Sequence, residues 1–82
     1  MDTNKKDTTI IVNAREKTWN EKDISYVQVI ELAYGTYEEK ETIEYTVTYT
    51  IPNNDKSGEL TVGESVKVKK DMVFYVNRTD KS

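Results

Sequence analysis

The sequence predicts an α+β fold in which one helix packs on one face of a mixed sheet of four to five strands. A helix-start signal followed by apolar residues at helical spacing lies within residues 25–35. Residues 43–51 alternate strictly between apolar and polar side chains, which is typical of a strand with one face open to water. Residues 72–76 are all apolar, which indicates a central strand that is covered on both faces or presents an apolar patch.

Length and composition limit the chain to one small domain and argue against catalysis. A domain of 82 residues buries about 60% of its unfolded surface. Twelve Lys and Arg against 15 Asp and Glu give a net charge of −3, which argues against a nucleic-acid partner. There is no cysteine and no histidine, so the chain has no disulfide, thiolate ligand or imidazole base. We therefore expect no enzymatic activity and no metal or cofactor.

The hydropathy pattern contains no targeting signal. No apolar run approaches the roughly 20 residues that span a bilayer, and the charged N-terminus is not followed by a signal-peptide core. We therefore expect a cytoplasmic protein without a membrane partner. Residues 1–7 are polar and are predicted to be disordered. Residues 8–77 form the predicted domain, and residues 78–82 form a predicted flexible C-terminal tail.

A β-hairpin is predicted first. Its strands are residues 8–13 and 16–19, which are joined by a turn at Asn13-Ala14-Arg15. Glycine would suit the turn better than Ala14. Trp19 is predicted to anchor the core or its rim rather than to bind a ligand.

The helix is predicted to begin after Ser25 and to end at Gly35. Ser25 and Gln28 fit a capping box, and Ile24 and Val29 can pack as a hydrophobic staple. Gly35 occupies the position where a left-handed residue ends a helix. The stripe predicted to face the sheet consists of Tyr26, Val29, Ile30 and Ala33.

The second half of the chain is predicted to complete the sheet. Residues 35–42 are charged and are predicted to form a solvated loop, and residues 53–58 have the composition of a loop. The predicted strands are residues 43–51, 60–62, 66–69 and 72–76. This order of elements favours the β-grasp arrangement, in which the first and last strands pair in parallel at the middle of the sheet.

Two features could bind a partner. If Met72, Phe74 and Val76 face the helix, then Val73 and Tyr75 lie on the open face of the sheet. Flanked by Lys67 and Lys69, these two would mark a partner site; cover by loops or edge residues is equally compatible with the sequence. The second feature is the polar C-terminal tail. It could thread into a partner's channel, although simple fraying is the more common outcome for a chain terminus.

Several segments together resemble the bacterial multiubiquitin-domain family, across residues 9 to 82. The segments are residues 11–15, 25–33, 45–49, 63–69 and 72–82. The Ser-Tyr-x-Gln-Val helix start and the Thr-Asp-Lys-Ser ending are the most specific of them. The resemblance implies a ubiquitin-like protein modifier encoded beside relatives of ubiquitin-activating, ubiquitin-conjugating and deubiquitinating enzymes.

The same resemblance assigns roles to the end of the chain. The carboxylate of Ser82 would be adenylated by the activating enzyme with ATP, carried as an ester or thioester, and transferred to target proteins. A deconjugating peptidase would reverse the bond. The chain itself would need no cofactor. The residues that would thread into the activating enzyme are Arg78, Thr79, Asp80 and Lys81.

The ending departs from the familiar eukaryotic pattern of two terminal glycines. Asp80-Lys81-Ser82 requires a wider channel in the activating enzyme, processing of the end, or the absence of conjugation. The alternative function is a non-covalent interaction module that uses the open sheet face or an edge strand. A sulfur carrier fits poorly because it also needs terminal glycines.

Overall fold

The computed structural model describes residues 7–53 and 55–80, and these form one helix and seven strands. The elements are β1 (Thr8–Val12), β2 (Arg15–Trp19), β3 (Asp23–Ser25), α1 (Tyr26–Tyr34), β4 (Ile43–Ile51), β5 (Lys56–Leu60), β6 (Ser65–Lys67) and β7 (Met72–Asp80). The disorder predicted for the N-terminal segment falls on residues 1–6, outside the described residues; Asp7 is exposed.

The sheet has the predicted mixed topology. Its five strands lie in the order β2-β1-β7-β4-β5, and β3 pairs with β6 in a separate two-stranded sheet. β1 runs parallel to β7, with Ile10 opposite Met72, whereas β4 runs antiparallel to both β7 and β5. First and last strands therefore meet at the centre, and one helix covers one face. This arrangement confirms the α+β, β-grasp fold class.

Local signals set the bounds of α1 as the sequence predicts. The Gln28 N–H donates to Ser25 Oγ at 3.2 Å, and the Ser25 N–H donates to Gln28 Oε1 at 2.9 Å, which completes the capping box. Gly35 has a φ of 85°, and its N–H donates to the Glu31 carbonyl at 2.7 Å. Tyr26, Val29 and Ile30 are buried against the sheet. The helix thus places its apolar stripe on the core.

Alternation along β7 divides the molecule into a packed face and an open face. Met72 and Phe74 are fully buried and Val76 is 7% exposed. Val73 is half-buried and Tyr75 is 58% exposed, so both lie on the face away from the helix. The condition that the sequence left open is therefore met: Met72, Phe74 and Val76 face the helix. Trp19 packs against the core from the hairpin, and its Nε1–H donates to the Asp23 carbonyl at 2.9 Å.

Four strands differ from the sequence-based expectation, and the first of them is β6, which covers Ser65–Lys67 rather than residues 66–69. β5 begins at Lys56, within the predicted loop, and ends at Leu60 rather than continuing to residue 62. β3 was not predicted, because a three-residue strand is stabilised by its partner β6 and has no periodicity of its own. β7 runs on to Asp80 instead of ending at residue 76. In each case tertiary pairing, rather than local hydropathy, forms the strand.

Candidate functional site

The C-terminal end of β7 is paired on one side only. β1 reaches no further along β7 than Phe74, opposite Val12. β4 continues, with Glu44 opposite Thr79 and Ile43 opposite Asp80. Residues 77–80 therefore have one neighbouring strand, whereas Val73 and Phe74 have two.

Asn13 closes the ladder between β1 and β7. Its Oδ1 accepts the Val76 N–H at 2.8 Å, its Nδ2 donates to the Val76 carbonyl at 3.1 Å, and its own N–H donates to the Phe74 carbonyl at 3.0 Å. One side chain thus occupies the place that the next residue of β1 would take. The sequence indicates Asn13 only as a turn residue, because its distant partner cannot be read from local composition.

The predicted flexible tail at residues 78–82 needs correction. Arg78, Thr79 and Asp80 are strand residues, because backbone pairing with β4 does not require apolar side chains. Lys81 and Ser82, which carry the rest of the predicted tail and the predicted conjugation site, lie outside the described residues.

Arg78 ties the end of β7 to the connection between α1 and β4. Its Nη2 lies 3.5 Å from Glu38 Oε1, and its Nε donates to Asp80 Oδ1 at 3.1 Å. The hydrogen bond that Arg78 donates to Asp80 is the main reason that the pKa of Arg78 is raised. Lys40 lies 3.8 Å from the same Glu38 oxygen. The guanidinium therefore bridges two carboxylates across separate segments.

Residues 36–42, which we call the strap, are not merely the solvated loop that their charge predicts. Tyr37 and Glu38 are half-buried, whereas the next three residues of the strap are exposed. The Glu38 N–H donates to Tyr45 Oη at 3.1 Å. The Tyr37 ring packs against Tyr45 and Tyr26, with centroid separations of 5.4 Å and 6.1 Å. The strap is therefore held against the sheet at its start.

A cluster of four tyrosines links α1, the strap and the sheet. Its members are Tyr26, Tyr34, Tyr37 and Tyr45. The Tyr34 hydroxyl donates to the Val76 carbonyl at 3.2 Å, and the Tyr26 hydroxyl donates to the Tyr45 carbonyl at 3.4 Å. Burial raises the pKa of Tyr26, with smaller contributions from the neighbouring rings and Glu44. Sequence reasoning missed this cluster because its members belong to different elements and share no spacing.

The open face of the sheet carries a small apolar centre in polar surroundings. Val73 lies opposite Ile11 on one side and Thr50 on the other, and Tyr75 lies opposite Thr48. The two lysines predicted to flank this patch belong to other segments. Lys67 lies opposite Asp23 in the two-stranded sheet, and the Lys69 carbonyl accepts the Met72 N–H just before β7 begins.

A helix cradled by a mixed sheet, with parallel first and last strands at its centre, defines a ubiquitin-like β-grasp domain. The described residues contain no helix with the length and hydropathy needed to cross a membrane. A family model described as Multiubiquitin matches residues 8–80, and the chain belongs to this family. No significant match was found among curated proteins or among solved structures. Ubiquitin-like domains of this kind are generally non-enzymatic.

Proposed function

We propose that the protein is a ubiquitin-like modifier that is attached to target proteins through its C-terminal carboxylate. The observation that supports this most directly is the course of β7, in a chain that belongs to the multiubiquitin family. This central strand runs the length of the sheet and ends at Asp80, beside the first residue of β4. Asp80 is exposed and has a neighbouring strand on one side only, so an enzyme could reach this end of β7.

The proposed chemistry uses groups that partner enzymes supply. A Ser82 carboxylate oxygen attacks the α-phosphorus of ATP and expels pyrophosphate, and a partner's thiolate then displaces AMP to form a thioester. A nucleophile of the target attacks that carbonyl, and the thiol leaves. Cysteine and histidine are absent from the chain, so the thiolate and the general base belong to the activating and conjugating enzymes. Such a pathway places the protein in the cytoplasm, together with a deconjugating peptidase and the targets.

The decisive experiment is incubation with the cognate activating enzyme and ATP, followed by denaturing electrophoresis. The unaltered chain should give a thiol-sensitive adduct with the enzyme. A semisynthetic chain with a C-terminal carboxamide is the matched control, because it keeps every side chain and lacks only the acyl donor. Deletion of Ser82 should abolish the adduct as well. An adduct from the carboxamide chain, or none from the unaltered one, would refute the proposal.

A second candidate function is non-covalent binding through the open face. It rests on Tyr75, which is 58% exposed beside the half-buried Val73. Tyr75→Ser should then weaken binding to the activating enzyme by about tenfold, since an aromatic anchor at an interface contributes 1–2 kcal/mol or more. Binding that survives loss of the C-terminal tail, with no adduct under any condition, would favour this module over a modifier.

A further inference from the structure

We propose that the strap is a latch that holds residues 77–80 of β7 in the sheet and must open before the C-terminal end can be handed to an enzyme. The regulatory part of this inference rests on the proposed modifier function. The latch itself is a property of the fold and can be measured without any enzyme.

The end of β7 has little else to hold it. Backbone N–H groups alternate sides along an antiparallel strand, and that of Val76 points to Asn13. Those of Asn77 and Thr79 therefore point to β4, where they face Thr46 and Glu44. On the other side β1 has already ended. A four-residue segment with one ladder opens more easily than Val73 and Phe74, which are paired on both sides.

Side-chain burial does not compensate for the missing strand. Asn77, Thr79 and Asp80 are exposed, and only Arg78 is half-buried. Arg78 lies on the same face of β7 as Val76, because the two residues share parity. There it meets Glu38, at 3.5 Å. This ion pair joins residues 77–80 to the strap, in addition to the backbone ladder with β4.

The strap holds Glu38 beside the sheet without forming a helix or strand of its own. The Glu38 N–H is fixed to Tyr45 Oη, and the preceding ring, Tyr37, packs on Tyr26 and Tyr45. Gly35 with its φ of 85° marks one end, and the Ile43 N–H donates to the Lys40 carbonyl at the other. Between these points the strap has no helix or strand. Arg78 and Glu38 are both partly exposed and lie outside the buried core, so separating their side chains leaves the core contacts in place.

The expected consequence is a strand end that opens locally when the ion pair is removed. Partly exposed ion pairs stabilise only weakly, so Glu38→Gln should raise the opening of residues 77–80 by about threefold. High salt should also raise the opening of residues 77–80 in the unaltered chain, because added ions screen a partly exposed ion pair.

Native-state amide hydrogen exchange by NMR tests the latch. In Glu38→Gln, the amides of Asn77 and Thr79 should exchange about threefold faster, while those of Val73 and Tyr75 keep their rates within measurement error. Glu39→Gln is the matched control, because it removes the same charge from the next, exposed residue of the strap. Arg78→Gln should reproduce the effect, and combining it with Glu38→Gln should add nothing further.

Three results would overturn the latch: unchanged exchange in Glu38→Gln, an equal rise in Glu39→Gln, or a rise spread uniformly along β7. The regulatory part is tested by the adduct assay. Glu38→Gln should form the adduct faster than Glu39→Gln at limiting activating enzyme, and equal rates would refute the regulation. If the unaltered chain forms no adduct, the modifier function and the regulation fail together, whereas the exchange data still decide whether the latch exists.

Discussion

Ala14 has a backbone conformation that alanine rarely adopts. The hairpin turn places Asn13 and Ala14 at φ values of 51° and 70°. A two-residue turn of this kind requires positive φ at both positions, which asparagine tolerates and alanine does not. The sequence alone favours glycine at position 14, and the positive φ of Ala14 explains this preference.

Ala14→Gly should therefore stabilise the protein by about 0.5–1 kcal/mol, since relief of left-handed strain outweighs the greater flexibility of the unfolded chain. Urea unfolding followed by circular dichroism measures the change. Ala33→Gly is the matched control, because Ala33 lies in α1 with ordinary helical geometry and should lose about 1 kcal/mol. If both variants were destabilised, the strain at Ala14 would be negligible.

Tyr26 gives the molecule a predictable response to alkaline pH. Burial raises the pKa of its phenol above 10.0, so the folded state holds the proton more tightly than the unfolded state. The resulting stability is fully present below the unfolded pKa and is lost as pH rises through the folded pKa. The phenol proton of Tyr26 is also the one donated in the hydrogen bond to the Tyr45 carbonyl.

Tyr26→Phe should remove this part of the pH dependence. The unaltered chain should lose free energy of unfolding as the pH rises above about 10, and the variant should lose less over the same interval. Urea titrations at a series of pH values from neutral to alkaline provide the comparison. Parallel curves for the two proteins would mean that Tyr26 ionises equally in both states.

At the scale of elements, prediction succeeded where the signal was local. The capping box and Gly35 lie within ten residues of each other and define α1 without any distant contact. β5 was missed because its strand character depends on β4. Gly58 lies opposite Tyr49, and the Tyr49 ring covers the space where a side chain at position 58 would stand. Gly58 belongs to a segment with the composition of a loop, but it lies in a strand beneath the Tyr49 ring.

Gly58→Ala should accordingly destabilise the protein by about 1–3 kcal/mol. The added Cβ would lie 2.6 Å from Tyr49 Oη and 2.7 Å from Tyr49 Cζ, so the ring would have to move off the sheet. Urea unfolding of the single and double variants measures this. In a Tyr49→Thr background the same change should cost almost nothing, and an equal cost in both backgrounds would exclude the ring as the cause.

Residues 77–80 form the end of strand β7 although their composition is polar. Residues 77–80 carry no apolar side chain, and the sequence therefore indicates a tail. β4 is as long as β7 and offers a partner to each of these residues, down to Ile43. The ion pair of Arg78 with Glu38 adds a link between segments 40 residues apart. Which residues of β4 and β7 pair depends on the register between the two strands, and that register is set only when the sheet forms.

At the scale of the whole molecule, the two faces of β7 have different surroundings. One face of β7 supplies the core beneath α1, and the other presents Val73 and Tyr75 to the solvent. The sequence could assign the two faces by parity, because alternation has a fixed period. Which set faced the helix could not be decided from sequence, since both sets are apolar.

Neighbouring aromatic residues on β7 should therefore respond to truncation in opposite ways. Phe74 is fully buried at the centre of the sheet, so Phe74→Ala should cost about 3–5 kcal/mol, a large part of the stability of a domain this small. Tyr75→Ala removes a ring of similar size from the open face and should cost about 1 kcal/mol or less, mainly through strand propensity. Urea unfolding gives both values; if Phe74→Ala proves unfolded in water, added osmolyte restores a measurable transition. Comparable losses at the two positions would mean that the open face is covered in solution, for instance by a second copy of the chain, and a concentration-dependent midpoint for the unaltered protein would identify that case.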